Sequence, residues 1–350
     1  MKRLLGALLL AGMSTVIVAG SAAACGGLVA ENGSINLLRT ATLAGYHEGI
    51  EHYITSFEFA GGGAEFGSIV PLPGIPSDVK RGGRWTLQRL QQEVAPPVFQ
   101  NAGADTETAA RSLQSATVLM EKQIEALDIT ILEGGGDEVG VWAKANGFVL
   151  PPDAPEVLDF YASRSPIFMA ARFDIARARE LDQSVGDGTP IHVIIPTPNP
   201  WVPLRILGLG RQANEVIEAD VFLLTDARPN LLPGPGVGAA DGISIDRSEQ
   251  ASDLLLADLR SDKGMEWLPT TGMHLTYMRI DSRAADLTHD LAIDATGVAI
   301  PSRIAAGLKV PAGSWPDPTT VPMILWIAIG TIGLAVVAML IKGTTMQWRV

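Results

Sequence analysis

The stretch from Val321 to Ile341, VPMILWIAIGTIGLAVVAMLI, runs for 21 residues without a charge. As a helix rising about 1.5 Å per residue it is about 31 Å long, the thickness of a bilayer's hydrocarbon core. Backbone groups in lipid must find partners within their own segment, so such a run is predicted to be helical. Pro322 falls in the first turn, where its missing N–H costs nothing. Trp315 and Trp326 lie near one boundary and Trp348 near the other, as interfacial aromatics do. The tail KGTTMQWRV carries Lys342 and Arg349 and no acid, which predicts a cytoplasmic C-terminus over residues 342–350.

The other end of the chain agrees with export. Lys2 and Arg3 precede the apolar run LLGALLLAGMSTVIVAG, which ends at Ala22, Ala23 and Ala24. This order of basic, apolar and small residues predicts a signal peptide over 1–24, cleaved after Ala24. Cys25 follows and is the single cysteine of the chain, so no internal disulfide can form. Three readings of Cys25 stand: a lipidation site, a reactive thiol, or the plain residue left by cleavage. Ala22 is a poor lipobox residue, and no neighbouring base would activate the thiol. A spanning helix would make a lipid anchor redundant. The expected location is therefore the cell membrane, single-pass, with residues 25–307 outside the cytoplasm and 308–320, LKVPAGSWPDPTT, as a Pro-spaced stalk leading to the membrane.

The body is long enough to bury a full core, as one domain or two intimate subdomains. A net charge of −12 argues against nucleic acid and against anionic lipid surfaces as partners. Thirty-seven glycines and 23 prolines predict many turns and short elements. No repeat of fixed period is present.

Strand patterns are frequent. GIEHYITSFEF alternates, with Tyr53, Thr55, Phe57 and Phe59 on one side and Ile54, Ser56 and Glu58 on the other, and predicts a half-buried strand. SINLLRTATLAGY precedes it, with HEG as the hairpin turn. PIFMAARFD puts Ile167, Met169, Ala171 and Phe173 on one face; EVIEADVFLL does the same with Ile217, Ala219, Val221 and Leu223. IHVII, VPLRIL, MHLTYMRI and HDLAID read as further strands, and Pro71, Pro73 and Pro76 should stop one that begins near Phe66. ARPNLLPGPGVGAADGIS, residues 227–244, reads as a surface loop. Helices are expected in DEVGVWAKANG, which ends at Asn146-Gly147, in RWTLQRLQQEV, and along Ala109, Leu113, Ala116, Met120 and Ile124. Another is DAPEVLDFYAS, where Asp153 and Glu156 suggest a capping box. Without a regular βαβ alternation, the fold class expected is α+β: mainly antiparallel or mixed sheets with packed helices, plus a single C-terminal transmembrane helix.

Four segments, ACGG, EHYITSFEFAGGGAEFGSIVPLPGIP, WAKANGF and the pair LTYMR and THDLAI, resemble a bacterial family of unknown function, DUF2330. The resemblance covers most of residues 25–300. It implies an exported protein, since members are typically exported and some carry a C-terminal span. Many members have a second cysteine near the first, which this chain lacks. The resemblance implies no activity and carries over no site residue.

Chemical motifs are weak. HEGIEH is one residue longer than the zinc-protease H-E-x-x-H, and its setting predicts a hairpin rather than the required helix. His47, Glu48 and His52 are nevertheless the candidate metal ligands, set against exposed polar residues on a hairpin. GLGRQA has dinucleotide-binding spacing, but the NEVIEADVFLL that follows reads as strand, not helix, so no cofactor is expected. FAGGGAEFGS lacks G-K-[ST]. His274, His289 and Asp290, with Asp281 and Asp294 nearby, are parts from which a hydrolytic site could be assembled. Trp201 in PTPNPWVPL is flanked by prolines and is either an exposed docking residue or part of a rigid turn. These observations point to a membrane-anchored envelope domain that binds an envelope protein or ligand without catalysis. The alternative is an extracytoplasmic hydrolase or metal-dependent enzyme using the region of His274, His289 and Asp290.

Overall fold

The structure is a computed structural model describing residues 22–23, 27–30, 39–57, 66–94, 116–183, 188–236 and 241–309. Cys25, the signal segment apart from Ala22–Ala23, the stalk from residue 310 and the run 321–341 lie outside these described residues.

In chain order the first strands are β1 (Ala22–Ala23), β2 (Gly27–Ala30), β3 (Arg39–His47), β4 (Ile50–Phe57), β5 (Phe66–Leu72) and β6 (Asp78–Arg81). Then come β7 (Thr117–Ile124), β8 (Leu127–Glu133), β9 (Ile167–Phe173), β10 (Thr189–Pro196) and β11 (Trp201–Val202). The last are β12 (Val216–Thr225), β13 (Asn230–Leu232), β14 (Ile243–Gln250), β15 (His274–Arg283) and β16 (Leu291–Asp294). Helices are short: α1 (Thr86–Val94), α2 (Gly136–Ala145), α3 (Ala154–Ala162), α4 (Ile175–Glu180) and α5 (Asp253–Ser261).

The strands form an eight-stranded sheet ordered β14-β15-β12-β3-β4-β10-β6 with β1 beside β3, a five-stranded sheet ordered β2-β5-β9-β8-β7, and a three-stranded sheet ordered β11-β16-β13. All pairs are antiparallel except β12 with β3 and β1 with β3. The two large sheets face each other. Tyr53, Ile191, Val193, Val221 and Met278 of one meet Val70, Ile129, Met169 and Phe173 of the other in the central core. The outer face of the eight-stranded sheet (Leu43, Ile54, Phe222, Leu275) is covered by Leu87 and Leu90 of α1 and Leu255, Leu256 and Leu259 of α5. The outer face of the five-stranded sheet (Ile69, Leu132, Phe168, Ala170) is covered by Val139 and Trp142 of α2 and Val157, Leu158 and Tyr161 of α3. The small sheet extends the latter layer, since Leu291 and Ile293 face the central core while Trp201 and Ala292 face the α2–α3 side. The result is four layers: helices, sheet, sheet, helices.

This corrects the expected α+β fold. Strand dominates, and the helices are thin covers on two sheets rather than an equal partner. Among the described residues no helix is long and apolar enough to cross a membrane, so the fold class with a C-terminal spanning helix is not what the structure shows. Other corrections are local. β4 is not half-buried: Glu51 through Ser56 are buried on both faces, because α1 and α5 cover the side that its polar residues seemed to give to solvent. Pro71 does not stop β5. It pairs with Phe168, while β2 pairs with β5 only from Phe66 to Ile69, so the missing N–H falls where no further strand needs it. The expected helix through Met120 and Ile124 is the edge strand β7, and Ala109 and Leu113 lie outside the described residues. VPLRIL holds the end of β11 and a 3-10 turn at Arg205–Gly208. The 227–244 loop contains β13 and the first residues of β14. Asp153 makes no capping bond; its carboxylate accepts the Gly210 N–H at 3.0 Å instead.

Phe168 is the second residue of β9 and is fully buried against α2 and α3. Phe168→Ala should lower the unfolding free energy by about 3–5 kcal/mol. A shift of the urea midpoint without a change in slope checks this.

Candidate functional site

The hairpin predicted at HEG is present, and it separates the three candidate metal ligands. Glu48 and Gly49 form the turn with φ of 50° and 81°, a conformation that glycine takes freely. His47, at the end of β3, places Nδ1 2.6 Å from the Asp226 carboxylate on the surface. His52 lies five residues on and points to the buried outer face of the large sheet. There its Nδ1 is 2.9 Å from His192 Nε2, and its ring stacks on Trp267 at 3.7 Å and 4°. Gly45 sits opposite His52 in the ladder, and a Cβ there would collide with the Trp267 ring, so glycine is what lets the indole lie flat on the sheet. Among the described residues no group of three or more His, Cys, Asp or Glu is arranged to hold a metal ion.

The residues of the hydrolase reading are likewise spread. His274 begins β15 and meets Ser248 Oγ at 2.9 Å. His289 is half-buried beside the exposed Thr288, 2.8 Å from its Oγ1. Asp290 is fully buried and fully bonded. Its Oδ1 accepts from Tyr161 Oη, Leu204 N and Arg205 N at 2.8, 2.8 and 3.0 Å, and its Oδ2 accepts from Arg164 at 2.6 Å. The Arg164 guanidinium lies over the Phe160, Tyr161 and Trp201 rings at 4.1–5.0 Å. Trp201 is therefore a buried residue of this knot, stacked on Tyr161 at 5.7 Å, and not the exposed one of the two readings.

The prolines beside Trp201 do line a site. A cleft of about 440 Å³ runs between Pro198–Pro200 on one side and the segments Ile293–Thr296 and Ala299–Ser302 on the other, with Tyr46 against it. The Tyr46 hydroxyl donates to Thr197 O at 2.9 Å, which ties the end of β3 to the proline turn. Asp294 organises the opposite wall: it accepts from Thr296 Oγ1 at 2.7 Å and from the Ala299 N–H at 2.8 Å. Burial pushes its carboxyl up, but these bonds win and hold it below its ordinary range, so it is ionised. Gly297 turns the loop at φ 71°, where a Cβ would strike the Arg228 carbonyl. The turn leaves Val298 88% and Ile300 78% exposed at the rim. Sequence reading found the prolines and missed the rim, because TGVAIPS has no periodicity to set it apart from a loop.

Two buried polar residues, Glu51 and His192, also escaped sequence reading. Glu51 is fully buried between the sheets, and neither carboxylate oxygen has a hydrogen-bond partner of good geometry. Burial pushes its pKa up to about 8, with the backbone of Trp201 offsetting only part of that. His192 and Trp267 complete the cluster around His52. Burial pushes His52 down to about 3 and His192 down to about 2, with Lys80 adding to both, so the pair is neutral at physiological pH.

Fold and clefts together define a helix-covered two-sheet sandwich whose openings lie at its ends and edges. The family described as an uncharacterised protein conserved in bacteria, DUF2330, matches residues 19–290, and the chain belongs to it. No curated protein matches. Among solved structures, baculovirus P35 aligns with a TM-score of 0.37 at 7% identity, over 73% of this chain and 96% of that one. A mutated baculovirus P35 after caspase cleavage aligns at 0.34 and 7%, over 73% and 99%. Likeness of this degree carries no functional argument.

Two outcomes follow from the buried charges. Asp290→Ala leaves Arg164, with a side chain only 6% exposed, without its carboxylate, and should cost about 3–5 kcal/mol in urea denaturation. Glu51 binds its proton more tightly in the folded than in the unfolded chain. Its contribution is therefore complete below 4.5 and is lost as pH rises toward 8. The His pair acts in the opposite sense: stability present above 6.5 is lost on acidification. Glu51→Gln should remove a slope of about 1.4 kcal/mol per pH unit between 4.5 and 8 and leave the acid limb intact, read from unfolding free energies along that range.

Proposed function

We propose that this protein is a non-catalytic binding domain of the cell envelope, and that the proline-walled cleft takes an apolar segment of a partner protein. The observation that carries this reading is the rim. Val298 and Ile300 stand 88% and 78% exposed on a loop that Asp294 and Gly297 hold in shape. Isolated exposed apolar residues are ordinary, but here two of them border a cleft walled by Pro198, Pro200, Ile293 and Pro301. Such a rigid wall loses little entropy when a partner docks. The basic and apolar leader ending at Ala22–Ala24 supports a location outside the cytoplasm. The hydrolase reading gains no support from the geometry: Asp290 has its lone pairs filled, and His274 and His289 are engaged with Ser248 and Thr288 in different sheets' surroundings.

The test places a photo-crosslinking amino acid at Ile300 in the full chain in cells, and at Val141, 52% exposed on α2, as a control. A discrete protein adduct is expected at position 300 alone, and it should disappear in a Val298→Asp background. No adduct at 300, or the same adducts at both positions, would sink the proposal.

A further inference from the structure

A second cleft, of about 580 Å³, opens between α1 and the segments Leu181–Gln183 and Gly188–Pro190. Its chemistry differs from that of the first. Arg84, Leu87, Gln88 and Gln91 recur at spacings of three and four and so share one side of α1 and its lead-in. The start of the helix is fixed by Asp262, which accepts from Arg84 N, Trp85 N and Thr86 Oγ1 at 3.1, 2.9 and 2.9 Å. Across the cleft Glu125 accepts from Arg81 Nε at 2.5 Å, Gln183 Nε2 at 2.7 Å and Thr189 Oγ1 at 3.0 Å.

Three features say that this cleft is built for a ligand. Gln183 gives its amide hydrogens to Glu125 and to Thr189, the latter at 3.3 Å, so its orientation is pinned. Its Oε1 is then left buried without a partner. Among the described residues, the side chains of Arg84, Gln88 and Gln91 make no hydrogen bond, although each lines the cleft. Finally, Glu125 and Asp182 both line it with φ of 52°, two of the three non-glycine residues at positive φ among those described. Backbone held in that region collects at functional sites.

The lining also defines the ligand. Two guanidinium groups are balanced by two carboxylates, so an ion gains no net attraction. What remains unmatched are the amides of Gln88 and Gln91, each offering donors and an acceptor, the Arg84 guanidinium, and the Oε1 acceptor of Gln183. Leu87, Leu181 and Pro190 add small apolar surfaces among them. A molecule that presents hydroxyls around its edge and C–H groups on its faces complements both, and the volume falls in the range of small-ligand sites. We propose that this cleft binds a short uncharged oligosaccharide, whose hydroxyls pair with Gln88 and Gln91 on α1, Gln183 opposite and Arg84 at one end. The proposal is independent of the partner cleft.

Titration calorimetry of the full chain tests it with maltotetraose, cellotetraose and chitotetraose, and separately with inorganic phosphate. Saturable binding of at least one sugar is expected, weakened about tenfold or more in the Gln88→Ala/Gln91→Ala variant. Both positions lie toward the surface of α1, so the variant should keep the wild-type unfolding temperature. Gln183→Leu should weaken the same sugar. Three results would overturn the idea: no saturable heat from any of the sugars, sugar binding that ignores the double variant, or phosphate binding that needs Arg84 while the sugars do nothing.

Discussion

A sheet covered on both faces leaves its strands no side on which to carry an unmatched charge. Both large sheets here are in that position, with one face in the central core and the other under helices. Each polar group on β3, β4, β10 and β12 therefore needs a partner or must stay neutral, since an unpaired buried group costs about 1–3 kcal/mol and a bare charge more. Thr42 meets Thr55 at 3.3 Å and Tyr277 donates to Asp220 at 2.7 Å. His52 and His192 share one hydrogen bond as neutral rings. Glu51, which has no such partner, keeps its proton. The acid and alkaline limits on stability thus come from the same cause acting on groups of opposite charge type.

The same covering decides where binding can occur. α1 and α5 close one outer face and α2 and α3 the other, so neither broad sheet surface is open. The two clefts described above form where chain leaves the layers. One lies where β10 passes through the proline turn to β11 and meets the loop after β16. The other lies where α1 approaches the start of β10 at the edge marked by β6. Each is shaped by a polar anchor: Asp294, in the wall of the first, holds its loop, and Asp262, outside the second, holds its helix.

How much of this was legible in the sequence follows from the same constraint. β9 and β12 were read with the right faces, because Ile167, Met169, Ala171 and Phe173 alternate with residues whose partners are also apolar, and either face gives the same strand. The HEG turn was legible because Gly49 is needed at φ 81°. α2 was legible from its apolar stripe and from Asn146-Gly147, with Gly147 at φ 82° ending the helix. β4 was misread because Glu51 and Thr55 look wet until the second sheet packs on their face, and His52 and Ser56 look wet until the helices of residues 86–94 and 253–261 cover theirs. β7 was misread because its apolar residues fit a helical period as well as an edge strand, and only pairing with β8 separates the two. His192, 140 residues from His52, has no local signal at all.

The contrast between Asp290 and the amides of α1 shows why residue type alone misled the search for chemistry. Asp290 looked like a catalytic carboxylate because histidine, serine and other acids crowd its stretch of sequence. In the fold, three donors fill one of its oxygens and an arginine takes the other, and the side chain is fully buried. A general base needs a free lone pair directed at a reacting proton, so full satisfaction marks Asp290 as a tie between α3 and the Leu204–Ile206 turn. Gln88 and Gln91 drew no notice in the sequence, where amides are unremarkable on a helix. Their hydrogen-bonding capacity is unspent and lines a cleft, and only groups in that state have interactions left to give to a ligand.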